Sequence, residues 1–294
     1  MRNLTTQTII IALLTALLSG CSVMRNAALQ TAKPVFADQQ LAMYCESDYE
    51  LAQTAIPANI KLLEGLVLSY PDDAQLKLWL TESLCGYAVG FLEETDPERA
   101  SSFYLRAKDY AVSAAMQKTG LKNEYLNDPD RLKKWIDTRT LKDVPYLFWL
   151  GQSWGSWIAI NVHKPQAMAD MSKLQWIMNR VLELDESFYH AGAHIVMGAI
   201  LGNIPVMFGG NPDKSRGHFD RAFELTNRSF LLVHYYCMKT YCVSAQDKEL
   251  FIKLNNEASG YDLNSTPDTR LMNVIAKKRM EILTAQQEDL FFDE

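Results

Sequence analysis

Gly151-Gln152-Ser153-Trp154-Gly155 has the G-x-S-x-G spacing of a nucleophile elbow. That chemistry needs a strand before the serine and a helix after it, so that a strained turn lifts the hydroxyl toward oxyanion donors. Val144 to Leu150 could pass for the strand, but such a hydrolase also alternates strands and helices, and helical periodicity flanks this motif on both sides. The pattern predicts instead a helix from about Asp143 to Ile160, with Gly151, Ser153, Gly155 and Ser156 as small residues at a close helix crossing. His190 and His194 stand four apart, which on a helix puts two metal ligands on one face. The position after the first histidine is Ala191, not the glutamate of a metalloprotease, and no nearby Asp, Glu or Cys supplies a third ligand. The sequence therefore nominates no catalytic residue, no metal and no cofactor.

Aromatic side chains are the stronger functional signal. Tyr146, Phe148, Trp149, Trp154 and Trp157 crowd one predicted helix, and Trp176, Phe188, Tyr189, Phe208, Tyr235 and Tyr236 follow. Tryptophans at 149, 154 and 157 occupy much of a helix circumference, so some are expected to face a cavity or a partner. The candidate ligand-binding residues are Tyr146, Trp149, Trp154, Trp157 and Tyr189. Burial between stacked helix pairs is the alternative use of the same residues, and it leaves a protein-interaction scaffold with no ligand role.

The N-terminus fixes the expected compartment. Arg2, the apolar run Ile9 to Leu18, and Leu18-Ser19-Gly20-Cys21 follow the order of a lipoprotein signal. The run is shorter than the roughly 20 residues of a spanning helix. Residues 1–20 are read as signal peptide, Cys21 as the lipidated residue, residues 21–38 as a tether, and residues 39–294 as a single domain. Two or more acyl chains on Cys21 would hold the chain stably to a membrane. With 29 basic and 35 acidic residues the chain carries a net charge of −6, and without a Lys/Arg cluster nucleic acid is a poor partner. Beyond Cys21 there are four cysteines, Cys45, Cys85, Cys237 and Cys242. A bridge between Cys45 and Cys85, or four buried thiols, fits the spacing equally; Cys237 and Cys242, five apart on one predicted helix, are expected to turn away from each other.

Positioning these residues falls to helices. Apolar residues recur at three and four through Leu62, Leu63, Leu66 and Val67, through Leu76, Trp79, Leu80 and Leu84, and again through Leu174, Ile177, Met178 and Val181. Tyr70-Pro71-Asp72-Asp73, Thr95-Asp96-Pro97, Asn127-Asp128-Pro129 and Asn211-Pro212-Asp213 set a capping Asp or Asn beside a proline, which reads as helix starts. Leu80, Leu84, Gly86 and Tyr87 followed by Ala100, Tyr104 and Ala107 approximate a tetratricopeptide-like large-small-large contact, and Gly198, Gly202, Phe219, Ala222 and Leu225 approximate another. The fold class is all-α, a tetratricopeptide-like solenoid of about ten or slightly more helices. Thr119 to Asp143 reads as an insertion, and an amphipathic helix from near Thr266 to Asp289 closes the chain. A helical bundle without repeats is the alternative.

Phe208-Gly209-Gly210-Asn211-Pro212-Asp213-Lys214-Ser215-Arg216-Gly217-His218-Phe219-Asp220-Arg221-Ala222, with Trp149-Leu150-Gly151-Gln152-Ser153-Trp154-Gly155 and the lipobox, resembles the TatT family, the tetratricopeptide-like T component associated with TRAP transporters. The resemblance implies a periplasmic lipoprotein that binds a small, hydrophobic ligand, works beside the substrate-binding P component, and assembles as a homotrimer. It brings no catalytic residues. Asn211 stands where many members are expected to have Asp, and it caps equally well. Ser22 favours outer-membrane over inner-membrane sorting, by analogy with enteric lipoproteins.

Overall fold

The computed structural model describes Met24 and residues 27–292, and among these there are helices and turns but no strand. Two compact units divide the chain, one ending at Cys45 and one beginning at Glu46. In the first, residues 27–44 are helical (α1), so the expected tether is helical from residue 27 onward. The signal segment and Cys21 lie outside the described residues. The second unit holds α2 (Tyr49–Ser69), α3 (Ala74–Tyr87), α4 (Pro97–Thr119), α5 (Pro129–Asp137), α6 (Val144–Ile160), α7 (Pro165–Asp185), α8 (Phe188–Asn203), α9 (Pro212–Leu225), α10 (Leu232–Tyr236), α11 (Val243–Ala245), α12 (Lys248–Ser259), α13 (Arg270–Ala285) and α14 (Gln287–Leu290).

The helix starts follow from their caps. Side chains of Asp48, Asp73, Asp96, Asp128, Asn211 and Asp247 accept from the backbone N–H of Leu51, Leu76, Arg99, Arg131, Lys214 and Leu250 at 2.9–3.1 Å. Pro97, Pro129 and Pro212 open their helices as expected, whereas Pro71 lies in the turn ahead of the Asp73 cap. The expected closing helix is interrupted at Gln286, which separates α13 from α14.

Neighbouring helices pack in chain order, α3 on α4, α4 on α6, α6 on α7 and α8 on α9. Leu80, Leu84, Ala100, Tyr104 and Ala107 are completely buried at the first of these contacts. Gly86, expected as its small member, faces outward, and a Cβ there would meet nothing within 4 Å; Gly90 makes a close approach of a different kind, against Ile275 of α13. The α6 crossing matches expectation: a Cβ at Gly151 would stand 2.7 Å from Met178 of α7, and one at Gly155 would stand 3.0 Å from Val196 of α8. Gly198 does the same against Phe219 at 3.0 Å. Residues 119–143 hold two short 3-10 turns and α5, tied back where Trp135 Nε1 donates to Thr119 O at 3.1 Å.

The array returns on itself. α13 packs against α2 and against the turn after α3. Arg279, 3% exposed, donates to Val89 O at 2.6 Å, to Glu94 at 2.8 Å and to Glu93. Tyr235 Oη and Lys239 Nζ also donate to Glu94, at 2.7 and 2.6 Å, and Tyr104 Oη donates to Glu93. Two π-helical turns, Ala88–Leu92 and Cys237–Cys242, flank this ion cluster. Cys237 and Cys242 stand at the two ends of the second, which is a π turn rather than the expected α-helix. Cys85, Cys237 and Cys242 are buried thiols without a disulfide, so Cys45 and Cys85 are not bridged. No helix among the described residues is long and apolar enough to cross a membrane.

Candidate functional site

Ser153 lies inside α6, and its buried hydroxyl donates to Trp149 O at 2.8 Å and Leu150 O at 3.2 Å. A nucleophile elbow needs that hydroxyl exposed at a strand-helix turn, so the motif is a helix-packing element here.

The five candidate aromatics divide between several places. Trp149 and Tyr189 meet, with ring centroids 4.8 Å apart and edge to face. Phe148 adds to this cluster at 5.3 Å from Tyr189 and 5.2 Å from Phe188. Trp154 points elsewhere: its Nε1 donates to the buried Asp170 of α7 at 3.1 Å, and Lys108 Nζ lies 4.6 Å over its ring. Trp157 is 7% exposed and its Nε1 has no partner. Tyr146 is half-buried near Asp143 and Asp73, and burial followed by those two charges raises its hydroxyl pKa.

Tyr189 owes its position to the backbone. Tyr189, His190 and Ala191 have φ of 49°, 57° and 59°, three successive left-handed residues without a glycine. Each costs roughly 1–2 kcal/mol for an L-residue, and strain of this kind collects at binding and switch sites. The turn carries the Tyr189 hydroxyl to Glu82 of α3, to which it donates at 2.8 Å. A Cβ at Gly192 would meet Phe148 at 2.6 Å, so the strained turn also presses its chain against the aromatic cluster.

The same turn separates the two histidines that an unbroken helix would align. His190 stacks on Phe230 at 4.6 Å, whereas His194 places Nδ1 3.0 Å from His218 Nδ1 and Nε2 3.3 Å from Glu186. Glu186 also accepts from Arg221. Beside Phe230, Asn227 and Arg228 form a second left-handed pair, φ 48° and 59°. Glu82, Phe230 and His218 stand beside the candidate residues without having been singled out in the sequence, and Phe148 was noted there only as one of the aromatics. Glu82 is 107 residues from Tyr189 and carried no local signal beyond a lone acid between Leu80 and Leu84.

Ala191 and Ala193 offer a matched test, since both are 1% exposed and only Ala191 is left-handed. Either change to glycine removes a buried methyl, but Ala191→Gly relieves strain while Ala193→Gly adds a flexible residue to an ordinary helix. In urea unfolding, Ala191→Gly is expected to be the more stable of the two by about 2 kcal/mol. Equal stabilities would mean that the left-handed turn stores nothing.

The histidines also set an acid limit. Burial, then Arg228, holds His234 down at about 4 against the opposing pull of Glu257. Burial, then His194 and Lys214, holds His218 at about 4. A depressed histidine pKa means that the unfolded chain binds the proton first, so stability is full above the ordinary histidine value of 6.5 and falls toward pH 4. Glu94 adds a lower window: burial raises its carboxyl, but Lys239 and Arg279 outweigh this and hold it at about 2. Its contribution is lost between its ordinary 4.5 and about 2. Denaturant midpoints measured across pH should fall in both windows, and His218→Asn should make the fall shallower in the upper one only, where His234 still titrates.

Comparison with known proteins links the chain to a family model and to a relative. The family model described as TRAP transporter T-component matches residues 45–291. A protein of Treponema pallidum (strain Nichols), itself described as uncharacterized, is 24% identical over 264 residues, 84% of this chain and 82% of that one.

Proposed function

The chain belongs to the TRAP transporter T-component family, and from that premise we propose that it is a periplasmic lipoprotein that binds a small, hydrophobic ligand and docks the substrate-binding P component of a TRAP-type uptake system. The family is one of transport accessories, not of enzymes, with an extracytoplasmic role. Lipid on Cys21 would tether the protein, with Ser22 favouring the outer membrane, and the working form would be a homotrimer. An outer-membrane anchor cannot sit beside an inner-membrane permease, so the protein would act earlier, on the ligand or on the soluble P component.

One observation supports the ligand reading above the others: Tyr189 is held in a left-handed backbone against Trp149, with its hydroxyl on Glu82. The enclosing rings supply apolar surface, and the Glu82–Tyr189 pair supplies polar groups for orientation. Tyr146, Trp154 and Trp157 complete the proposed set. Val206, Met207 and Phe208, 69%, 83% and 59% exposed on the turn between α8 and α9, support the docking half and suit the scaffold alternative as well.

The test uses the lipid-free mature chain. Native mass spectrometry detects copurified ligand, and immobilised P component reports docking. Trp149→Ala and Tyr189→Phe should lower ligand occupancy at least about tenfold, the equivalent of about 1.4 kcal/mol, without affecting P-component capture. Unchanged ligand and P-component binding in a Trp154→Ala, Trp157→Ala double variant would remove those two residues from the site.

A further inference from the structure

His194 and His218 meet across the α8–α9 contact, and neither the aromatic cluster nor the exposed turn between those helices uses them. Their Nδ1 atoms stand 3.0 Å apart, with the ring planes at 52°. Two neutral imidazoles can meet in this way only if one of them donates. Glu186 decides which: its carboxylate lies 3.3 Å from His194 Nε2, so the His194 proton sits on Nε2 and its Nδ1 lone pair faces His218. Arg221 fixes that carboxylate with two bonds, from Nε at 3.1 Å and Nη2 at 2.5 Å, and keeps it ionised. The spacing of the rings is set by the helix contact. Ser215 Oγ donates to Gly198 O at 2.7 Å, about one turn from each histidine, and Phe219 packs on Gly198. His194 is 8% exposed and His218 is half-buried, so solvent reaches the pair through His218.

The geometry points to His194 and His218 as a two-histidine site for a divalent transition-metal cation, bound between the Nδ1 atoms with water filling its remaining positions. Imidazole nitrogens suit zinc, nickel and copper, and bind zinc at about 2.0–2.1 Å. At that distance two donors 90° apart are about 2.9 Å from each other and a tetrahedral pair about 3.4 Å. The separation of 3.0 Å therefore already suits a shared cation, and rotation about each Cβ–Cγ bond aims the lone pairs. Glu186 stands where such sites place an outer carboxylate, behind a ligating histidine, fixing its tautomer and raising its basicity. Burial lowers the pKa of both imidazoles and keeps them neutral, as metal ligands must be. His218 gives up the proton on Nδ1 and takes one on Nε2, so binding at neutral pH releases no net proton. The charges about the pair balance, with Glu186 and Glu224 against Arg221 and Lys214. Among the described residues no three His, Cys, Asp or Glu side chains gather for a metal. Two protein donors and water make an exchangeable site, unlike a structural zinc site with four protein ligands. His190, the ligand that an unbroken helix would have offered, is turned away onto Phe230.

The test uses the lipid-free mature chain, without a tag and stripped with chelator, titrated with zinc chloride by calorimetry. One zinc per chain is expected, and excess magnesium, which prefers oxygen donors, should not compete. Nitrogen NMR of the histidine rings reads the site in the native chain: zinc should shift Nδ1 of His194 and His218 and leave His163, His190 and His234, the other histidines, in place. His218→Asn should weaken zinc binding at least about tenfold, and Glu186→Gln by about 10–100-fold, the range for removing an outer partner. Cys45→Ser and His163→Asn should leave it unchanged, and urea midpoints without zinc verify that each variant folds. Absence of saturable zinc uptake, shifts confined to the other histidines, unchanged binding in His218→Asn, or loss of binding in Cys45→Ser overturns the proposal.

Discussion

Gly210→Ala should unfold the turn between α8 and α9, with a loss of about 4 kcal/mol or more in denaturant unfolding. A Cβ there would lie 1.7 Å from Ile204 O and 2.7 Å from Ile204 C. Both are backbone atoms, so no rotamer change can make room. The clash also sits where the turn is most tightly bonded. Gly210 N donates to Pro205 O at 3.2 Å, Asn211 N donates to Leu201 O at 2.9 Å, and the Asn211 side chain caps α9. Gly209 is the internal control. It needs glycine for its φ of +100°, yet the space beside it is open, so Gly209→Ala should cost only about 1–2 kcal/mol. If the two variants lose similar amounts, the close approach at Gly210 is not what holds the turn.

Arg279→Ala is expected to cost about 3–5 kcal/mol, the range for breaking a buried ion pair from one side. Glu93, with a side chain 6% exposed, would be left as an uncompensated buried carboxylate, while Glu94 would retain Lys239. The guanidinium also lies 4.3 Å over Tyr235, so its loss removes packing as well as charge. The network is not ideal even in the native chain, because Arg279 Nε is buried without a partner. For that reason an Arg279→Met, Glu93→Gln double variant should recover much of the loss, since an uncharged replacement of both partners no longer strands a charge. Equal unfolding midpoints for Arg279→Ala and the native chain would show that α13 is held by its apolar contacts alone.

Much of the architecture was legible because it is local. A cap followed by proline and an apolar residue every three or four positions specify where a helix begins and which face it buries, and α4, α5 and α9 start where those signals stand. The small residues of α6 were readable for the same reason. What could not be read depends on distant partners. Phe188-Tyr189-His190-Ala191 contains no glycine, and nothing in it announces a left-handed turn; contacts with Glu82, Trp149 and Phe230 impose it. The π turn at Cys237 likewise carries no local signal in the sequence. Arg279 reads as one more basic residue on an amphipathic helix until Glu93 and Glu94 are placed opposite it, 186 and 185 residues away. The candidate site was legible as a set of residue types, but only Trp149 and Tyr189 of the five are brought together by the fold.

The return of α13 to α2 and Glu93 changes what kind of object the helical array is. An open stack of repeats can gain or lose a unit at either end, and folding can start anywhere and spread to its neighbours. Here α13 also meets α2 and the turn after α3, so the cost of looping the 186 residues between Glu93 and Arg279 must be met before that seam forms.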